Sequence, residues 1–154
     1  MQKNRMGRRR GLAALAGIGA AVPLAAGAQS SPRAKIVYHL NQPGGEEFSY
    51  YRQMLTNVAN HLTVLTPGQF DLKVVMHGPG INLLRFAARN DPQIAAAVDE
   101  LKLAGVKFEI CRITLTRGNI PLSQLYDASE EDVVPSGVGR IAALQHEGYA
   151  YLKI

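Results

Sequence analysis

The chain has 154 residues, with 17 Lys and Arg against 12 Asp and Glu and a single cysteine. Lys3, Arg5, Arg8, Arg9 and Arg10 all precede the first acidic residue, Glu46, so the +5 surplus belongs to the N-terminus and residues 29–154 carry twelve groups of each sign. That balance gives no reason to expect nucleic-acid binding, and one cysteine excludes an internal disulfide.

Arg8-Arg9-Arg10 and the apolar stretch from Leu12 to Ala26 fit a twin-arginine export signal. The stretch falls short of the roughly 20 apolar residues that a bilayer span needs. Ala26-Gly27-Ala28 has the small-x-small form of a cleavage site. Residues 1–28 are therefore read as a signal peptide and residues 29–154 as one domain. The expected location is periplasmic, with no membrane attachment after cleavage. An uncleaved N-terminal anchor is the alternative.

Ala34 to Leu40 is an apolar, β-branched run and predicts the first strand, closed by the Asn41-Gln42-Pro43-Gly44-Gly45 loop. From Glu46 to Leu65 the apolar positions Phe48, Tyr51, Leu55, Val58, Ala59 and Leu62 mark one face of a long helix. Glu46 and Glu47 fall in its first turn, where the helix dipole favours acids. Phe70 to His77 predicts the second strand, turning at Gly78-Pro79-Gly80 into a short helix, Ile81 to Ala88. Asp91-Pro92 reads as an N-cap with proline at the first helical position. That helix is expected to end at Ala104, turn Ile94, Val98, Leu101 and Ala104 inward, and stop at Gly105.

Val106 to Arg112 predicts the third strand. A polar loop over Thr114 to Asn119 and a helical turn over Pro121 to Tyr126 follow. The acidic run Asp127, Glu130, Glu131, Asp132 reads as a solvated loop. Asp132 to Val134 is a short strand. Ser136 caps a helix running to Glu147, Gly148 ends it, and Tyr149 to Ile154 is a last strand. Alternating strands and helices imply parallel pairing with right-handed crossovers. The unbroken apolar run Val74-Val75-Met76 implies a sheet covered on both faces. The expected fold is a three-layer α/β/α sandwich with a mostly parallel five-stranded sheet, the last strand being either parallel or an antiparallel edge.

Ligands of open α/β sheets sit beyond the carboxyl ends of the strands. This selects His39 and Asn41 after the first strand, and His77, Gly78 and Gly80 after the second. Cys111, Arg112 and Thr114 follow the third, and Ser136 and Gly137 the fourth. Helix N-termini there expose amide hydrogens that would stabilise a thiolate. Cys111 is thus a nucleophile candidate or a buried packing residue. Arg112, the polar residues after it, and Glu109 on the same strand face argue for exposure. His77 is a candidate acid or base, or a strand-end histidine bonded to the turn; His39 is the weaker candidate. Gly78-Pro79-Gly80 lacks the length and lysine of a phosphate loop. No cofactor is implied. No metal is expected either, since His39, His61, His77 and His146 lack ligand spacing.

Four segments carry a resemblance in order and spacing: His77-Gly78-Pro79-Gly80-Ile81, Gly105 to Cys111, Val134-Pro135-Ser136-Gly137-Val138, and Leu144 to Tyr151. They resemble the DsrE/DsrF-like family, in particular its exported single-domain members. The resemblance implies a parallel α/β fold, assembly into homo- or hetero-oligomers such as trimers or hexamers, a homo-oligomer being expected here, and the sulfur relay through a cysteine persulfide that some relatives perform. It implies a donor or acceptor protein as partner, and an activity that is sulfurtransferase-like at most. Exported relatives often place a small residue and an Asn between this cysteine and the Thr, where Arg112 and Ile113 stand here. Two functions follow: a periplasmic sulfur carrier using Cys111, or a non-enzymatic oligomeric binding module with a structural cysteine.

Overall fold

The computed structural model describes residues 33–154; the export signal and cleavage site read at residues 1–28 lie outside them. Among the described residues five strands form one sheet: β1 (Ala34–Leu40), β2 (Phe70–Met76), β3 (Lys107–Cys111), β4 (Val133–Val134) and β5 (Ala150–Lys153). Their order is β4-β3-β2-β1-β5 and every pairing is parallel. Of the two expectations for the last strand, the parallel one holds: Ile36 pairs with Ala150 and His39 with Lys153. A helix between β4 and β5 carries the chain back over the sheet, and such a crossover delivers a parallel strand.

The helices are α1 (Ser49–Leu62), α2 (Ala88–Asn90), α3 (Pro92–Leu103), α4 (Arg112–Arg117) and α5 (Gly137–His146). α1 starts later than its apolar pattern suggests. Glu47 and Phe48 have φ of 46° and 59° and close a separate 3-10 turn, so Glu46 and Glu47 lie in that turn and not in the helix. Asp91 caps α3 as expected, accepting the amides of Gln93 and Ile94. Gly105 and Gly148 follow their helices at positive φ. The helix expected over 81–88 is instead a 3-10 turn, Gly78–Ile81, then a π turn, Leu83–Ala87, leading into α2. The Leu84 carbonyl there accepts the Tyr126 N–H from a distant segment.

The polar loop expected over 114–119 is also corrected. Arg112–Arg117 is α4, because no glycine or proline interrupts it before Gly118 and Leu115 inserts into the core. The third strand accordingly stops at Cys111. Ala59 and Ala104, read as inward, are exposed, whereas Met54 is buried.

The two faces of the sheet are covered unequally. Ile36, Tyr38, Leu40, Leu72, Val74, Met76, Phe108 and Ile110 point to one face. There they pack with Tyr51, Leu55 and Val58 of α1, Ile94, Val98 and Leu101 of α3, and Leu115 of α4. Each fully buried side chain of this size stabilises the fold by roughly 1.5–3 kcal/mol. On the other face Val37 and Val75 meet Ile141 and Leu144 of α5, together with Tyr149. Charged residues complete that face. Glu109 takes a two-pronged ion pair from Arg140 at 2.8 and 3.0 Å, and buried Lys73 reaches Asp71 and Tyr149 Oη. Glu109 is therefore buried by its partner and gives no support to an exposed Cys111.

Gly80 lies so close to the end of β1 that a Cβ there would meet the Leu40 carbonyl oxygen at 2.1 Å. We expect Gly80→Ala to destabilise the protein by about 3 kcal/mol in denaturant unfolding, since backbone must move. Gly139→Ala, within α5 at an exposed position where nothing comes nearer than 3.4 Å, should be neutral or stabilise by about 0.5 kcal/mol. Equal effects of the two substitutions would contradict this packing.

Candidate functional site

The connections after β1, β2 and β3 lead to helices on the larger core face, whereas β4 leads to α5 on the opposite face. The chain thus parts in two directions between the carboxyl ends of β3 and β4, the place where a crevice opens in such sheets. A cleft of about 570 Å³ lies there, lined by the loop after β2, the first turns of α4 and the start of α5. Its volume suits a small molecule. A second groove of about 440 Å³ runs between α1 and α3. Among the described residues no cysteine or histidine lines it.

Cys111 lines the cleft but is 4% exposed, so the exposure argued from its neighbours is corrected: the thiol sits at the floor. Its pKa lies below the ordinary thiol value. Burial acts the other way and raises it, but donors outweigh burial: the Gly137 amide, the Thr114 hydroxyl, and the amides of Thr114 and Ile113. The Thr114 oxygen also accepts the Gly78 amide at 2.9 Å, which ties the β2 loop to the thiol. A side chain at position 137 would meet His77 Cβ at 2.9 Å and Cys111 Cβ at 3.2 Å. Only glycine lets this amide approach the sulfur. Ser136, immediately before, caps α5 by accepting the Gly139 amide at 3.2 Å.

His77 does not bond the turn that follows it through its ring. Its Nε2 lies 2.7 Å from Nε2 of His39, and the rings stack with centroids 4.8 Å apart. His39 Nδ1 lies 2.7 Å from Tyr151 Oη. Both imidazoles have lowered pKa values, His39 to about 4, chiefly through burial and then through neighbouring charge, with Lys153 acting on each. Both rings are neutral at pH 7.

The remaining sequence candidates separate. Gly78, Thr114, Ser136, His77 and Cys111 all line the cleft, and Gly137 adjoins it. Arg112 faces away and pairs with Glu130. Gly80 serves packing under Leu40. Asn41 accepts Lys153 Nζ at 3.1 Å at the β1 and β5 edge. Sequence reasoning missed Asn82, Arg117 and Val138 in the cleft, and the pairing of His39 with Tyr151. The spacing of Thr114 and Arg117, three apart, would have placed Arg117 beside the cleft had the helix been foreseen.

A family model described as the DsrE/DsrF-like family matches residues 34–154. No curated protein matches the chain. Among solved structures, the protein of unknown function MTH1491 from Methanobacterium thermoautotrophicum is similar, with a TM-score of 0.65 and 31% identity over 79% of this chain and 99% of that one.

The donors around the sulfur predict the reactivity of the thiol. Alkylation of Cys111 by iodoacetamide, followed against pH, should have a midpoint below the ordinary thiol value of about 8.5. Thr114→Val should move the midpoint upward and Thr114→Ser should leave it in place. A wild-type midpoint at or above the ordinary value would contradict the assigned donors.

Proposed function

The chain belongs to the DsrE/DsrF-like family, and from that membership, which indicates a sulfur-relay type of protein, we propose that it carries sulfur as a persulfide on Cys111. The observation that carries this reading is the thiol at the floor of the switch-point cleft, faced by the Gly137 amide, the Thr114 hydroxyl and the amides of Thr114 and Ile113. Those donors favour the thiolate, which is the form that attacks sulfur. They also suit a terminal sulfur anion once the persulfide has formed.

The cleft supports an anionic donor. Among the described residues Arg117 is the one formally charged side chain that lines it, His77 is neutral, and no carboxylate lines it. In loading, the Cys111 thiolate attacks the outer sulfur of a donor R–S–S⁻. The new Cys111–S bond forms as the donor S–S bond breaks, and RS⁻ leaves. In discharge, an acceptor thiolate attacks the outer sulfur and Cys111 departs as thiolate. No oxidant is consumed in either half. The exposed apolar residues Ile113 and Val138 at the rim offer a surface for an acceptor.

Mass spectrometry after incubation with polysulfide tests the reading. Cys111 should gain the mass of sulfur, lose it to dithiothreitol, and gain nothing as Cys111→Ser. An unmodified wild type, under conditions that load a known persulfide carrier, would overturn the proposal in favour of a subunit with a structural cysteine.

The same reading includes export. Replacing Arg8 and Arg9 by lysine should leave the protein in the cytoplasm and unshortened, whereas the wild type should be recovered from the periplasm without residues 1–28. Fractionation with N-terminal sequencing checks this, and equal distribution of the two would refute it.

A further inference from the structure

We propose that Tyr151, His39 and His77 form a proton relay from the open face of the sheet to the cleft, serving the thiol group that leaves or enters beside Cys111. The inference rests on the sulfur-carrier reading and adds the groups that move its protons. Two contacts of 2.7 Å link the three side chains in series, from Tyr151 Oη to His39 Nδ1 and from His39 Nε2 to His77 Nε2. The outer end is open, since Tyr151 is 39% exposed on edge strand β5. The inner end borders the site: His77 lines the cleft, and the Cβ and Cδ2 edge of its side chain lies against Gly137 beside Cys111. Nδ1, on the opposite edge of the ring, bonds no protein group among the described residues and is not sealed from solvent, so it is open to a small molecule that enters the cleft.

The chain has two neutral arrangements. In one, Tyr151 donates to His39, His39 donates to His77, and His77 presents Nδ1–H to the cleft. In the other, His77 donates to His39, His39 donates to Tyr151, and His77 presents a lone pair. Loading uses the first: the departing RS⁻ takes the Nδ1 proton, each ring passes one proton inward, and water restores the proton of Tyr151. The chain is left in the second arrangement. Discharge uses that one: the incoming thiol gives its proton to His77 Nδ1, and the protons shift outward to solvent. One proton enters and one leaves per cycle, and neither ring becomes a cation. The surroundings favour this neutrality, because burial and Lys153 disfavour the imidazolium form of both rings, and His77 adds to the effect on His39. Beside the outer end of this series Asn41 Oδ1 accepts Lys153 Nζ at 3.1 Å.

The test compares donors that differ only in the leaving thiolate: an alkyl persulfide, whose thiolate needs a proton, and an aryl persulfide, whose weakly basic thiolate does not. Loading of Cys111 is followed by mass spectrometry in the wild type, Tyr151→Phe and His39→Gln, with alkylation of Cys111 as the check that the site is intact. Both variants should load from the alkyl donor about 100-fold more slowly than wild type, the low end of general acid catalysis. Loading from the aryl donor should change less than twofold. Variants that slow both donors equally, or neither, would overturn the relay while leaving the carrier reading intact. A wild type that loads from neither donor would overturn the carrier reading itself.

Discussion

The site depends on one close approach. The N-terminus of α5 comes down on the end of β3 so that the Gly137 amide faces the Cys111 sulfur, and a single added carbon at position 137 would collide with both His77 and Cys111. This contact brings together chain segments 26 residues apart in sequence. It exists because β4 is only two residues long and releases the chain at once toward the far face. Thr114 completes the arrangement, holding the Gly78 loop while its hydroxyl faces the same sulfur. A thiol that is nearly enclosed thus has a lowered pKa, because fixed donors outweigh the cost of burial.

The unequal covering of the sheet has a chemical consequence. The face packed by α1, α3 and α4 is apolar throughout and supplies most of the core. Among the described residues one helix, α5, covers the other face, so polar side chains on alternate strand positions remain near solvent or are neutralised by partners. Glu109 with Arg140, and Lys73 with Asp71 and Tyr149, are the neutralised kind. Removing one partner of such a pair leaves a buried charge without compensation, which costs more than the pair contributes. His39, His77 and Tyr151 are the kind that remain usable, since they are polar, uncharged and joined to one another.

Several elements were legible in the chain because their causes are local. β1 was readable from its β-branched run, the start of α3 from Asp91-Pro92, the cap of α5 from Ser136, and the ends of two helices from Gly105 and Gly148. α4 was not, because Thr114 and Thr116 carry weak helix preference and what holds the helix is Leu115 inserted into a core built by distant residues. The late start of α1 was hidden because the turn that opens at Gly45 continues with left-handed backbone at Glu47 and Phe48, two residues whose types do not announce that conformation.

By itself the sequence determined the alternation of strands and helices, the parallel sheet and the family resemblance, since these follow from periodicity, caps and turn residues close together in the chain. It also placed the candidate residues at strand ends, where period and topology put any ligand. Tertiary structure alone decided which strand ends adjoin and on which side each helix passes. That choice buried Cys111 beneath Gly137, turned Arg112 away to Glu130, and joined His39 to His77 and Tyr151. Such outcomes depend on contacts between residues far apart in sequence, whose energies no local pattern encodes.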